Sequence, residues 1–225
     1  MNELQNLIPL AVGMMISPLP IVAIVAIVLA PRGRAAAPIY TTTFTIVSLV
    51  FLALGAVFSA NSSSSSTSGS SSTVSFVFAI IITIGFALFA VLSWIGRPKP
   101  GQTAKAPSWL AAIDNVTPLS AAGLGFVMAI TNTKNIPLAL KGGALIGDAH
   151  SSLPITILLC VVVAIVGSLA LIVPALIALS TSDRVIGALQ RVKTEMIAHN
   201  AVMMTVLFAI LAANEAAQVV HHLVS

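Results

Sequence analysis

Five consecutive polar residues interrupt an apolar stretch that is long enough to cross a membrane. They are Thr131, Asn132, Thr133, Lys134 and Asn135. A lysine near the centre of a bilayer costs roughly 2.5–3.5 kcal/mol on insertion scales, and such residues usually face a cavity or a partner. An ammonium group among amide and hydroxyl donors suits an anionic group such as a carboxylate or a phosphate. The cluster therefore predicts an anion-binding site inside the membrane.

A second polar interruption occurs in the first apolar stretch, where Ser17, Pro18 and Pro20 follow Gly13. A proline inside a helix removes one backbone donor and clashes with the carbonyl four residues earlier. In lipid, the freed backbone groups need partners in the protein or in a wet cavity. We expect half-helices starting after Pro20 and around Pro137, whose N-terminal amides face one cavity and favour an anion. The simpler alternative for the first interruption is a proline kink without a binding role.

A carboxylate lies in the last apolar stretch, where Glu215 follows Asn214. A buried carboxylate needs a cation or a proton, because it loses its hydration in lipid. One interpretation is a static pair of Glu215 with Lys141 or Lys134 that fixes helix packing. The other is that Glu215 gains and loses a proton and so couples transport to a proton gradient.

The composition indicates a membrane protein. Only 7% of the 225 residues are charged and 58% are hydrophobic, whereas a soluble domain carries roughly 25% charged residues. These values exclude an ordinary cytosolic enzyme and a disordered chain, and the single cysteine excludes a disulfide scaffold. The net charge of +4 does not indicate nucleic-acid binding, because the basic residues lie in short gaps between apolar stretches.

Six apolar stretches are long enough to be transmembrane helices, which need about 20 residues. They cover residues 4–30, 39–60, 74–96, 119–147, 153–180 and 200–224. Eight of the ten lysine and arginine residues lie in the first, third and fifth gaps between these stretches. By the positive-inside rule, those gaps are cytoplasmic and both termini are extracytoplasmic.

The third gap divides the chain into two halves. Residues 1–96 form a first three-helix repeat, residues 97–118 a cytoplasmic linker, and residues 119–225 a second three-helix repeat. Since each half has an odd number of spans, the second half is inverted relative to the first, as in many transporters. The predicted fold is an all-α polytopic membrane protein of six transmembrane helices, built as two inverted repeats with interrupted first and fourth helices.

The sequence contains no pattern for catalysis or for a cofactor. A serine–histidine–acid set, a phosphate-binding loop and an HExxH motif are all missing, so we expect neither an enzyme nor a bound cofactor. Asp148 and His150 are two candidate metal ligands without a third nearby, so no metal site is predicted.

Two short motifs resemble the lysine-exporter superfamily and, within it, the glycopeptidolipid- and sulfolipid-addressing group. The first motif is Ser17-Pro18-Leu19-Pro20, and the second is Asn132-Thr133-Lys134-Asn135. The superfamily commonly has Asn-Pro-Lys at the second place; here Thr133 replaces that proline and Pro137 follows. The resemblance implies an exporter in a bacterial inner (plasma) membrane, associated with the delivery of glycolipids to the cell envelope.

The leading hypothesis is therefore the export or flipping of an anionic lipid or glycolipid, with membrane lipids as its surroundings. One alternative is a small-solute exporter for amino acids or ions, which would use the same cavity for a small anionic substrate. Another is a scaffold that does not transport and recruits envelope-lipid synthesis proteins. Gly143 and Gly147, preceded by Ala139, predict the close approach of a helix from the same chain or from a second copy in a homodimer.

Overall fold

The computed structural model of the protein describes residues 6–62, 70–99, 102, 110, 113, 115–177 and 183–224. Most of the predicted linker at residues 97–118 lies outside the described residues. The regular structure of the described residues is helical. The helices are α1 Leu7–Met15, α2 Pro18–Leu29, α3 Gly33–Ser62, α4 Ser70–Ile95, α5 Pro118–Ile130, α6 Asn135–Asp148, α7 Leu153–Gly167, α8 Leu169–Ile177 and α9 Asp183–Val224.

Two helices in the described part of the chain are long and apolar enough to cross a membrane, Gly33–Ala60 and Ile186–Ala217. Two bent pairs also qualify if each pair forms one span: α1 with α2, bent by 50°, and α7 with α8, bent by 62°. Length and composition thus support between two and four membrane spans. A total of six spans stays a prediction. Apolar helices of this kind are consistent with a membrane protein.

The helices extend further than the predicted spans in two places. α3 begins at Gly33, within the predicted gap, and contains Pro38. α9 runs without a break through residues 183–224, so the predicted gap at residues 181–199 is largely helical. Charged residues ended the predicted spans, but arginine, lysine and glutamate are good helix formers. With 42 residues, α9 is about 63 Å long, roughly twice the thickness of the hydrocarbon core.

Proline and a capping box mark where two helices start. Thr117 precedes α5 and accepts a hydrogen bond from the backbone amide of Ser120 at 3.2 Å, while the Ser120 hydroxyl accepts one from the Thr117 amide at 2.8 Å. This reciprocal pair satisfies two amides that the first turn leaves free. Pro118 then occupies the first helical position, where its missing N–H does no harm. Pro154 lies in the first turn of α7 in the same way.

The described chain divides into two compact units: Met1–Ala60 with Lys105–Ala198, and Asn61–Ala104 with His199–Ser225. In the second unit, Phe208 packs against Phe86 and Phe89, with ring centroids 5.9 and 5.3 Å apart. These units are defined by contacts within the chain, whereas the predicted repeats at residues 1–96 and 119–225 are defined by internal symmetry. The two repeats therefore stay a prediction.

α2 lies at the centre of the first unit. Eight of its twelve residues are buried, including Ile24 and Ile27, as expected for a helix that is apolar on all sides. α2 packs against α5 and α8, whereas α1 packs against α6 and α7. α1, which precedes the first interruption, thus contacts α6, which follows the second, and α2 likewise contacts α5. Two interrupted helices that run antiparallel to each other make these contacts. This arrangement brings the two interruptions together.

Glycines let α3 and α6 approach until their backbones touch. A methyl group on Gly143 would overlap the carbonyl oxygen of Leu52, and one on Gly147 would overlap that of Ala56. From the other side, Gly55 lies against the backbone of Leu140. The close approach predicted at Gly143 and Gly147 is therefore present, and the neighbour is α3 of the same chain.

Candidate functional site

The first interruption separates α1 from α2. α1 ends at Met15, and α2 begins at Pro18 after the extended residue Ser17. Pro18 and Pro20 occupy the first and third positions of α2, where the missing N–H groups would have no helical partner in any case. The prolines therefore lie in the first turn of a new half-helix, which begins two residues before the predicted start after Pro20, and the alternative of a simple kink in one continuous helix does not describe this break.

The second interruption covers residues 131–134, between the end of α5 at Ile130 and the start of α6 at Asn135. The carbonyl oxygen of Asn132 accepts hydrogen bonds from the amides of Asn135 and Ile136 at 2.9 and 3.4 Å. Pro137 is the third residue of α6 and lies in its first turn. The interruption falls within the predicted polar cluster, and α6 starts at Asn135, which agrees with the predicted start around Pro137.

Backbone hydrogen bonds satisfy two of the four carbonyls that end α1. The carbonyl oxygen of Val12 accepts from the amide of Ile16 at 3.2 Å, and that of Met15 accepts from the amide of Ser17 at 3.0 Å. A helix end leaves four such carbonyls without helical partners. Those of Gly13 and Met14 accept hydrogen bonds from side chains instead.

Lys134 donates to both of these carbonyls. Its side chain is fully buried, and Nζ donates to the carbonyl oxygen of Gly13 at 2.6 Å, to Oδ1 of Asn135 at 2.6 Å and to the carbonyl oxygen of Met14 at 3.4 Å. An ammonium group has three N–H donors, so this set uses all of them. The cation also lies at the C-terminus of α1, where the helix dipole carries partial negative charge.

Ser17, Asn132 and Asn135 complete the connection between the interruptions. Nδ2 of Asn132 donates to the Ser17 hydroxyl at 3.0 Å, and that hydroxyl lies 3.2 Å from the Met14 carbonyl and 3.3 Å from Oδ1 of Asn135. Nδ2 of Asn135 donates to the Met14 carbonyl at 3.2 Å. We call Ser17, Asn132, Lys134 and Asn135, with the carbonyls of Gly13 and Met14, the break-point network.

A family model described as Sap, sulfolipid-1-addressing protein (SfLAP) matches residues 7–221, from the first residue of α1 to near the end of α9. The chain belongs to this family. No curated protein and no solved structure matches it. Membership of the wider lysine-exporter superfamily remains an expectation from the two motifs.

Four of the eight predicted binding residues of this SfLAP chain join the break-point network, and the other four lie beside it. Thr131 and Thr133 are exposed, and the Thr131 hydroxyl donates to the carbonyl of Val127 in its own helix at 2.7 Å. Pro18 and Pro20 are buried in the first turn of α2. The hydroxyl of Tyr40, a residue that the sequence did not single out, donates to the Pro20 carbonyl at 3.1 Å.

The helix N-termini at the interruptions have few amides to offer to an anion. Two of the first three residues of α2 are prolines, and the amide of Ile21 bonds to the carbonyl of Ser17 at 3.1 Å. At α6, the first two amides bond to Asn132 and the third residue is Pro137. The predicted presentation of amides to an anion is therefore largely absent from this arrangement.

The SfLAP chain has a third interruption, which the sequence did not predict. α7 ends at Gly167 and α8 begins at Leu169, where a single span over residues 153–180 was expected. A methyl group on Gly167 would lie 3.1 Å from the Cβ of Met14, so this bend lies beside the end of α1. Ser168 is 1% exposed, and its hydroxyl has no hydrogen-bond partner. The signal was a Gly–Ser pair, a known cause of sharp kinks.

Glu215 is buried in the second unit, within α9, and its neighbour Asn214 is exposed. Lys141 is partly buried in α6, and both Lys141 and Lys134 belong to the first unit. The predicted pairing of Glu215 with a lysine, and its alternative role in proton coupling, therefore stay predictions.

Proposed function

We propose that this chain moves an amphipathic envelope lipid with an anionic head group to the outer leaflet of the inner membrane. The observation that carries the proposal is a fully buried lysine where two discontinuous helices meet, in a family named for sulfolipid addressing. Discontinuous helices meeting inside the bilayer are the recurrent site architecture of secondary transporters. An intramembrane lysine is by default a functional group.

The proposed topology has six spans in two inverted repeats, with both termini outside. Its support is the packing of α1 against α6 and of α2 against α5, which makes the first and fourth spans antiparallel. The shorter apolar helices Ile80–Ile95 and Pro118–Ile130 would contribute to the remaining spans.

The head group would bind Lys134 by taking the place of the backbone carbonyls that now accept its hydrogen bonds. Its anionic oxygens would replace the carbonyls of Gly13 and Met14 as acceptors of the ammonium, because a charged acceptor forms the stronger hydrogen bond. Asn132 and Ser17 would donate to the same head group, and Thr131 and Thr133 would line its entrance.

Apolar surface next to the second interruption suits the lipid tails. Phe126, Val127 and Ile130, on the last two turns of α5, are 49%, 48% and 40% exposed. A tail lying along this face would keep the head group near residues 131–134. Glu215, with Asn214 and Lys141, would act as counter-charge or proton carrier during the cycle.

The test is a leaflet-resolved assay on the purified protein in proteoliposomes that contain a fluorescent anionic glycolipid. Dithionite added outside quenches only the outer leaflet, so translocation appears as additional quenching with time. We expect the wild type to exceed protein-free vesicles at least tenfold and Lys134→Met to fall to the protein-free rate. Lys193→Met, the same substitution far along the chain on α9, is the matched control and should keep the wild-type rate.

Two other outcomes would replace the proposal. Saturable efflux of a soluble amino acid or ion, without lipid movement, would show a small-solute exporter. No movement of either substrate, together with a lipid defect in a deletion strain that Lys134→Met repairs, would show a scaffold. Repeating the assay with and without a proton gradient tests the role of Glu215, because insensitivity to the gradient would exclude a proton carrier.

A further inference from the structure

We propose that the carbonyl oxygens of Gly13 and Met14 and Oδ1 of Asn135 form a binding site for a primary ammonium ion, which the tethered ammonium of Lys134 occupies. We call these three oxygens the oxygen cage. The inference concerns what holds the two interruptions together, and it does not depend on which substrate the protein moves.

The geometry of the cage suits an ammonium ion, which donates three hydrogen bonds. Its three oxygens surround one nitrogen at 2.6, 2.6 and 3.4 Å, and the nitrogen is fully shielded from solvent. All three oxygens are neutral carbonyl or amide groups. Such oxygens replace the hydration shell of monovalent cations in selectivity filters, whereas calcium and magnesium sites rely on carboxylates.

The position of Lys134 in its own helix supports the same inference. Lys134 is the N-cap residue of α6, and its side chain caps no amide of that helix. The N-terminus of a helix disfavours a positive charge, and its C-terminus favours one. Lys134 thus lies at an unfavourable end of α6 and gains its stabilisation from the C-terminus of α1, where the orphan carbonyls are.

A chemical rescue experiment tests whether the cage binds a cation or only packs a side chain. Lys134→Ala keeps Cβ and removes three carbons and the ammonium, a fragment equivalent to n-propylammonium. The thermal unfolding midpoint of the purified protein is measured in detergent at constant ionic strength, with choline chloride as the reference salt. In choline we expect Lys134→Ala to unfold roughly 5–10 °C below the wild type.

Added n-propylammonium should restore at least half of this difference with a saturable dose dependence. In the series from methyl- to butylammonium, the recovery should be greatest at propyl. n-Propanol, which fills the same volume without a charge, should restore little. Lys134→Met should not respond, because its own side chain fills the space, and the wild type and Lys193→Ala should show no preference among the amines.

Three results would overturn the inference. They are a variant as stable as the wild type in choline, equal recovery with propanol and with propylammonium, or no amine better than choline. If Lys134→Ala cannot be recovered in choline, membranes are extracted in propylammonium and in choline side by side. A monodisperse protein in the amine alone then supports the site, and failure in both overturns it. Because every readout is folding, the result is independent of the translocation assay.

Discussion

The ammonium of Lys134 lies 2.6 Å from the carbonyl oxygen of Gly13, a residue 121 positions earlier in the chain. This contact joins a residue in one interruption to the helix end at the other. It gives a buried cation a place at the negative end of a helix dipole, and it gives an orphan carbonyl a charged donor. The same contact explains how a lysine can be fully buried among apolar helices.

Asn135 should be the second most sensitive residue of the break-point network. Asn135→Leu removes the acceptor of Lys134 at 2.6 Å and the donor to the Met14 carbonyl at 3.2 Å. Hydrogen bonds to charged groups contribute about 1.5–3 kcal/mol, so we expect the free energy of unfolding to fall by about 2–3 kcal/mol. Denaturant unfolding measures it. Thr133→Val, on an exposed neighbour, should change stability by less than about 0.5 kcal/mol, and equal effects would contradict the network.

Two glycines in apolar helices should respond oppositely to the same change. Gly143→Ala places a methyl group on the backbone of Leu52, whereas Gly123→Ala meets nothing within 4 Å. Overpacking against backbone costs about 1–3 kcal/mol, and alanine in an open helical position gains up to about 1 kcal/mol over glycine. The thermal midpoint should therefore fall for Gly143→Ala and hold or rise for Gly123→Ala. A stable Gly143→Ala would argue against the contact between α3 and α6.

Ser168→Ala should leave the protein as stable as the wild type or more so. Its hydroxyl is buried without a partner, and removing an unsatisfied polar group relieves about 1–3 kcal/mol. Ser48 is the control, because it is similarly buried but its hydroxyl donates to the carbonyl of Phe44 at 3.0 Å. Ser48→Ala should not gain stability. A large loss of translocation with Ser168→Ala at full stability would instead place that hydroxyl in contact with the substrate.

Tyr40 ties α3 to the start of α2 by a single polar contact. Tyr40→Phe removes only the hydrogen bond to the Pro20 carbonyl and should lower the free energy of unfolding by about 1 kcal/mol. Tyr40→Ala also removes a fully buried ring and should lower it by about 3–5 kcal/mol. Chemical denaturation of both variants separates the hydroxyl from the ring. A Tyr40→Phe variant as unstable as Tyr40→Ala would show that the contact matters more than the packing.

The sequence predicted where two helices are interrupted because the signals there are local. A lysine between apolar runs and prolines in pairs are visible without knowing what lies next to them. The hydrogen bonds of Lys134 could not be predicted from the neighbouring sequence, because two of its acceptors are carbonyls at the end of α1. Only the packing of α1 on α6 shows that the three N–H groups of the ammonium already have acceptors within the protein. The sequence therefore identified the side chains of the network but not the oxygens that hold the ammonium in this structure, and the binding of an anion there stays a prediction.

Two other differences between the predicted and the observed helices also have physical causes. The interruption at Ser168 was hidden because apolar residues surround the Gly–Ser pair, and hydrophobicity alone does not distinguish a bent span from a straight one. α9 was predicted to begin near residue 200 because Arg191, Lys193 and Glu195 end an apolar stretch, although the same residues favour a helix.

The glycine contacts between α3 and α6 have a mechanical consequence. A side chain between two helices can change rotamer and let them slide, but at Gly55, Gly143 and Gly147 the backbones of α3 and α6 meet directly, with no side chain between them. We therefore expect the pair to behave as one rigid body. If α5 moved relative to the pair formed by α3 and α6, the hinge would be residues 131–134, which connect α5 to α6.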